Sequence, residues 1–239
     1  MIRWQDVDAA LFDLDGVLTP TALVHEKAWG RAFNGFLDHA GDSAPFTRDD
    51  YLQFVDGKPR YDGVRSFVES RSIELAEGAP ADAAGYETVC ALGNLKNELF
   101  NEVLRNDGVD PYPDALVLLD VLDTLGVAMA VVSSSANAGP VLDAAGISSR
   151  FVYRMDGLVA RRDSIPGKPA PDMFLETARR IGVEPGAAVV LEDAVSGVRA
   201  GASGGFQHVV GVDREGNGEA LAEAGATIIV SSLAALVVG

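Results

Sequence analysis

Cysteine is almost missing from this 239-residue chain: Cys90 stands alone, which excludes an internal disulfide framework and a multi-cysteine zinc site. Basic residues are scarce as well. Nineteen Lys and Arg face 35 Asp and Glu, a net charge of −16. That balance argues against nucleic acid, whose binding requires a basic footprint, and against an anionic membrane surface. No apolar run approaches the roughly 20 residues that span a bilayer. Acidic residues enter the N-terminus by Met1-Ile2-Arg3-Trp4-Gln5-Asp6, before any signal-like apolar stretch forms, so a soluble cytoplasmic protein is expected. Low-complexity tracts and repeats of roughly 20–50 residues are also absent. What remains, 48% hydrophobic and 23% charged, is the composition of a packed globular chain.

One pattern occurs three times: an amphipathic helix, a glycine, then a short Val/Ile-rich run. It reads Asp114–Leu125, Gly126, Val127–Val132; then Asp172–Ile181, Gly182, Ala187–Leu191; then Glu219–Ala224, Gly225, Thr227–Val230. Acidic residues at the helix starts suit the dipole, and a glycine past the last turn suits a left-handed cap. Short apolar runs without alternation are strands covered on both faces, hence a parallel sheet. Val7–Phe12 and His208–Val212 add two more. The expected fold is therefore α/β, a doubly wound parallel sheet.

Residues 21–107 break the pattern. They predict helices around Leu23–His39, Arg48–Phe54, Gly63–Ser70 and Tyr86–Arg105, with no buried strand. The predicted organisation is an α/β core from residues 1–20 and 108–239, interrupted by a helical domain over 21–107.

Chemistry gathers where the predicted strands end. Val7–Phe12 runs into Asp13-Leu14-Asp15-Gly16-Val17, two carboxylates two residues apart, which extended chain points the same way. Such ends are where open α/β sheets bind ligands. Val131-Val132-Ser133-Ser134-Ser135 brings hydroxyls and backbone N–H groups that suit a phosphate oxygen. Gly167-Lys168-Pro169-Ala170-Pro171-Asp172 sets a lone lysine where two prolines fix the backbone before a helix, and Val189-Val190-Leu191-Glu192-Asp193 delivers two adjacent acids. Each segment alone also reads as a turn, a loop or a solvated lysine.

Together they predict more. Crowded carboxylates at Asp13, Asp15, Glu192 and Asp193 repel one another unless a hard cation such as Mg²⁺ joins them. Asp13 is then a nucleophile toward phosphorus, Asp15 an acid and base, and Ser133 and Lys168 stabilise charge on the transferring group.

This ordered set resembles the haloacid dehalogenase superfamily of phosphotransferases: Asp13-Leu14-Asp15-Gly16-Val17 its first motif, Ser133 its second, Lys168 its third, Glu192-Asp193 its fourth. The position of the insertion resembles the subclass with a helical cap, and in particular the β-phosphoglucomutase-like group. The resemblance implies an aspartyl-phosphate intermediate at Asp13 and a Mg²⁺ held by Asp13, Asp193 and the backbone carbonyl of Asp15, with Glu192 assisting. It further implies that Thr21, His25 and Trp29 enter the cap near the active site, and that Arg60 grips the far phosphate of a bisphosphorylated sugar. Lys96 and Asn97 would face the substrate, while Ser134, Ser135 and Asn137 would form the phosphate and substrate loop. Read as residues alone, Trp29 suits packing inside the helical domain, His25 a satisfied interface histidine, Arg60 and Lys58 surface charges, and Lys96 a solvated helix residue.

The sequence departs from the group at Pro20, where an acidic residue is common, and at Asp56, which precedes Gly57 where a lysine is usual. Ala136 replaces a polar or basic residue. These bear on sugar choice and on the second phosphate. The expected function is Mg²⁺-dependent phosphoryl transfer on a sugar phosphate, interconverting hexose 1- and 6-phosphates, with a monomer as the expected state. A phosphatase on the same scaffold is the alternative. A phospho-accepting receiver domain is a third reading, but such domains are roughly half this length and lack the insertion. A sugar-phosphate sensor is disfavoured because every core motif residue is present.

Overall fold

A computed structural model describes residues 2–41, 44–55, 58 and 60–237; Asp56, Gly57 and Pro59, singled out above, lie outside them. The chain divides into two compact units, Met1–Thr21 with Val109–Gly239, and Ala22–Gly108. These limits stand one residue from the sequence boundaries at 20/21 and 107/108.

The first unit is built on six strands: β1 Ala9–Phe12, β2 Ala128–Val132, β3 Tyr153–Met155, β4 Ala188–Glu192, β5 His208–Val212 and β6 Ile228–Val230. All neighbours are parallel, in the order β3-β2-β1-β4-β5-β6. Side chains alternate between faces along a strand, yet all four residues of β1 and all five of β4 are buried. Both faces are therefore covered, as the unalternating apolar runs predict. Chain order reverses between β1 and β4, which pair directly with Phe12 opposite Leu191. The carboxyl ends beside that reversal are where such sheets place ligands.

The second unit is helical: α1 Thr21–Ala40 begins at the last residue of the first unit, followed by α2 Arg48–Asp50, α3 Arg60–Ser70 and α4 Val89–Asp107, with a π-helical turn over Tyr51–Val55. Its core is aromatic, centred on Phe33, whose ring lies 4.0 Å from that of Phe67 and 4.9 Å from that of Trp29. Among the described residues no named strand falls in this unit.

The first unit's helices are α5 Pro113–Leu125, α6 Ala138–Ala144, α7 Gly157–Arg162, α8 Asp172–Ile181, α9 Val195–Ser203 and α10 Gly218–Glu223. Helices α5 and α8 end at left-handed Gly126 and Gly182, as their sequences predict. Strand β3 is absent from the sequence reading. It is three residues long at the sheet edge, with only Met155 buried, so it leaves no apolar run to detect. No helix among the described residues is long and apolar enough to cross a membrane.

Candidate active site

Strand β1 delivers Asp13, whose backbone N–H continues the sheet ladder by donating to the Leu191 carbonyl at 2.9 Å. The ladder holds the Asp13 backbone while its side chain leaves the strand end, 8% exposed for the whole residue. The Lys168 ammonium sits at the centre of the site. It donates to Asp13 Oδ1 at 2.5 Å, to Glu192 Oε1 at 2.5 Å and to the Val132 carbonyl at 2.8 Å. Phe174 of α8 lies beneath it, ring centroid 5.0 Å from Nζ. Burial by itself would lower the pKa of this lysine, but Asp13 and Glu192 outweigh that and raise it above the ordinary value, so it stays charged.

Glu192 ends β4 fully inside. Its second oxygen accepts the Ala194 N–H at 3.0 Å, and its carboxylate lies so close to α9 that a Cβ on Gly197 would stand 1.7 Å from Oε1. Glycine at 197 is what lets the helix pass over the acid. Both Glu192 oxygens are thus engaged, one by Lys168.

Asp15 occupies the turn after β1. Thr21 donates its hydroxyl to Asp15 Oδ1, and the Gly16 N–H closes the turn on the Thr19 carbonyl at 2.9 Å. Gly16 has φ +79°, and a Cβ there would stand 1.9 Å from Asp193 Oδ2. The Asp193 carboxylate therefore rests on the Asp15–Gly16 turn itself. Burial, then the charges of Asp13, Glu192 and Asp15, push the Asp193 carboxyl up to about 9. Four acids, Asp13, Asp15, Glu192 and Asp193, thus crowd round the single ammonium of Lys168.

Among the described residues, no three His, Cys, Asp or Glu side chains are grouped so as to enclose a metal by themselves. The donor set the resemblance implies is smaller: carboxylates of Asp13 and Asp193 with the Asp15 carbonyl. Those are hard oxygens, and the crowding of Asp193 with other acids suits a hard cation that retains waters. The residues present fit Mg²⁺. Glu192, grouped with the metal carboxylates in the sequence reading, has its oxygens committed to Lys168 and Ala194.

Ser133 follows β2, 1% exposed, its Oγ accepting from the Ser135 N–H at 3.1 Å. Ser135 Oγ accepts from the Asn137 N–H at 3.1 Å, and the Ser135 carbonyl accepts from the Gly157 N–H at 3.0 Å. Ser134 is exposed between them. The loop is folded on its own hydroxyls.

The helical unit gathers its own cluster. Lys96, 5% exposed, donates to His25 Nδ1 at 2.6 Å, and its ammonium lies 5.0 Å from the ring centroids of Trp29 and Phe100. Burial, then Lys96 and Arg60, hold His25 well below the usual imidazole range, so it is neutral. Arg60 donates to Asn97 Oδ1 at 2.8 Å. Trp29 is 5% exposed and stacked on Phe33, so it packs in this unit's core. Lys96 is buried rather than solvated.

Two residues of the loop after β5 were not singled out from the sequence. Arg214 reaches the Gly16 and Val17 carbonyls, and Asn217 donates to the Asp193 carbonyl at 3.4 Å. The signal was available: His208–Val212 is a predicted parallel strand, and its carboxyl end meets the same sheet edge as the other motifs.

A family model described as haloacid dehalogenase-like hydrolase matches residues 7–205. A β-phosphoglucomutase of Mycobacterium bovis is 45% identical over 241 residues, covering 97% of this chain and 92% of the relative. Hexitol phosphatase A of Escherichia coli is 32% identical over 207 residues, covering 85% of this chain and 82% of that one. Among solved structures, β-phosphoglucomutase from Clostridium difficile superimposes with a TM-score of 0.71 at 26% identity, covering 96% of this chain and 93% of that chain. With its four motifs on the edge of one parallel sheet, this chain belongs to the haloacid dehalogenase-like hydrolase family.

Proposed function

We propose that the protein is a Mg²⁺-dependent phosphotransferase that interconverts the 1- and 6-phosphates of a hexose through a bisphosphate. The observation that carries this reading is the site built round Asp13, with Lys168 at 2.5 Å, Asp15 two residues on, and Asp193 against Gly16. The β-phosphoglucomutase relative at 45% identity supports the choice of sugar phosphate.

In this reading an Asp13 oxygen attacks one phosphorus of the sugar bisphosphate, and the bond from that phosphorus to its sugar oxygen breaks, leaving a monophosphate. Asp15 gives its proton to that departing oxygen. Asp13 now carries the phosphoryl group. The free hydroxyl of a hexose 1-phosphate attacks it, Asp15 takes the hydroxyl proton, and the bisphosphate forms as the Asp13 carboxylate is restored. Lys168, kept charged by its two acids, and Ser133 stabilise the oxygens of the group in transfer. Asp13, Asp193 and the Asp15 carbonyl would hold the Mg²⁺, which supplies neutralising charge to the phosphoryl oxygens. Glu192 serves by fixing Lys168. Arg60, Lys96, Asn97, His25, Thr21, Ser134, Ser135 and Asn137 are assigned to sugar and second-phosphate binding by resemblance alone.

Incubation with β-glucose 1-phosphate, Mg²⁺ and a trace of β-glucose 1,6-bisphosphate tests the proposal. Glucose 6-phosphate is the expected product. Free phosphate without glucose 6-phosphate overturns the mutase reading and favours a sugar-phosphate phosphatase, the reading that the 32% identity to hexitol phosphatase A supports.

A further inference from the structure

Arg214 lies two residues past β5 and is used by none of the steps above. Its guanidinium makes a two-pronged pair with Asp114 in the first turn of α5, Nη1 to Oδ2 at 2.8 Å and Nη2 to Oδ1 at 3.0 Å. Asp114 is itself held in place, accepting from the Leu233 N–H at 2.7 Å and the Ser232 hydroxyl at 2.9 Å. One face of the guanidinium lies on the Tyr112 ring, 4.0 Å from its centroid. One edge and one face of the group are thereby fixed by the first unit. On another side Nε points to the Gly16 carbonyl at 3.3 Å and Nη2 to the Val17 carbonyl at 3.5 Å.

Those two carbonyls follow Asp15 directly. The turn they belong to begins at Asp15, and the Asp193 carboxylate stands against its Gly16. It has no regular strand or helix of its own to hold it; within it stand the Gly16–Thr19 closure and bonds from the Leu18 and Thr19 N–H groups to the Leu14 carbonyl. We propose that Arg214 is a positioning residue for phosphoryl transfer, holding the Gly16–Val17 backbone so that Asp15 meets the sugar oxygen in register. The geometry needs a planar fork, since a lysine offers a single point charge and cannot grip Asp114 bidentately while reaching two carbonyls. A displacement of about 1 Å at a reacting group costs up to 10²-fold in rate.

The inference rests on Asp15 moving a proton at the sugar oxygen, and that dependence supplies its test. In loading Asp13, which kcat/KM for p-nitrophenyl phosphate reads, a sugar phosphate needs the proton, whereas p-nitrophenyl phosphate releases a stabilised phenolate and does not. In the full-length protein with Mg²⁺, Arg214→Lys should lower kcat/KM about 10- to 100-fold for β-glucose 1-phosphate. For p-nitrophenyl phosphate the loss should stay within about threefold. A loss of equal size on both substrates, or no loss on either, overturns the positioning role. Should Arg214→Lys not fold, Asp114→Asn frees the guanidinium without adding bulk and carries the same expectation. The two readings fail separately: Asp13→Asn with full turnover removes the proposed chemistry, whereas inactive Asp13→Asn beside unselective Arg214→Lys removes only the role of Arg214.

Discussion

The Lys168 ammonium stands 2.5 Å from an oxygen of Asp13 and 2.5 Å from an oxygen of Glu192, 6% exposed at its side chain. A buried cation between two acids stabilises little by itself, but removing it leaves two carboxylates uncompensated in a dry site. Lys168→Met should destabilise the fold by about 3–5 kcal/mol and abolish turnover. Urea denaturation followed by circular dichroism reads the first effect. A variant as stable as the parent would mean that the two acids do not depend on this lysine.

Asp13→Asn should keep the fold and lose turnover, because an amide is a poor nucleophile while Lys168 keeps its bond to Glu192. The check is product formation from β-glucose 1-phosphate, alongside a thermal melt. Parental turnover in a folded variant would refute Asp13 as the attacking group.

Gly16→Ala places a methyl group 1.9 Å from the unshifted Asp193 Oδ2, at a φ of +79°. An L-residue there costs roughly 1–2 kcal/mol in backbone strain, and Asp193 must also move. The expected result is a higher Mg²⁺ requirement, read as the concentration giving half-maximal turnover. An unchanged Mg²⁺ titration would show that Asp193 does not need its present position.

Acid should loosen the Asp114 anchor. Burial by itself would raise this carboxyl, yet Arg214, the Leu233 N–H and the Ser232 hydroxyl hold it below the usual carboxylate range. Its stabilising contribution is complete above the unfolded value, near pH 3.9, and disappears as pH falls through the lower folded value. Thermal melts from pH 6 down to 3 should therefore show a shallower decline for Asp114→Asn than for the parent. Parallel declines would show that Asp114 does not contribute to acid lability.

Much of the fold is legible because its signals are local. The unalternating run Ala188–Leu191 announces a strand buried on both faces, and the glycine after Leu125 marks a helix end. Strand β3 was invisible for the converse reason: Tyr153-Arg154-Met155 buries one side chain, and sheet pairing with β2 alone makes it a strand. In the helical unit, Trp29 and Lys96 each admitted two readings. The structure stacks Trp29 on Phe33 and seats a buried Lys96 on His25, contacts that residue spacing does not contain.

The sequence alone determined that acids, serines and a lysine stand at the ends of buried parallel strands, since apolar periodicity and the residue that breaks it are neighbours in the chain. Tertiary structure alone decided which of them touch. Lys168 meets Asp13 across 155 positions and Arg214 meets Gly16 across 198. It also decided that Glu192 fixes the lysine, because a carboxylate's partner is set by strand order and helix packing around it. Those follow from burial summed over the whole chain, which no short segment carries.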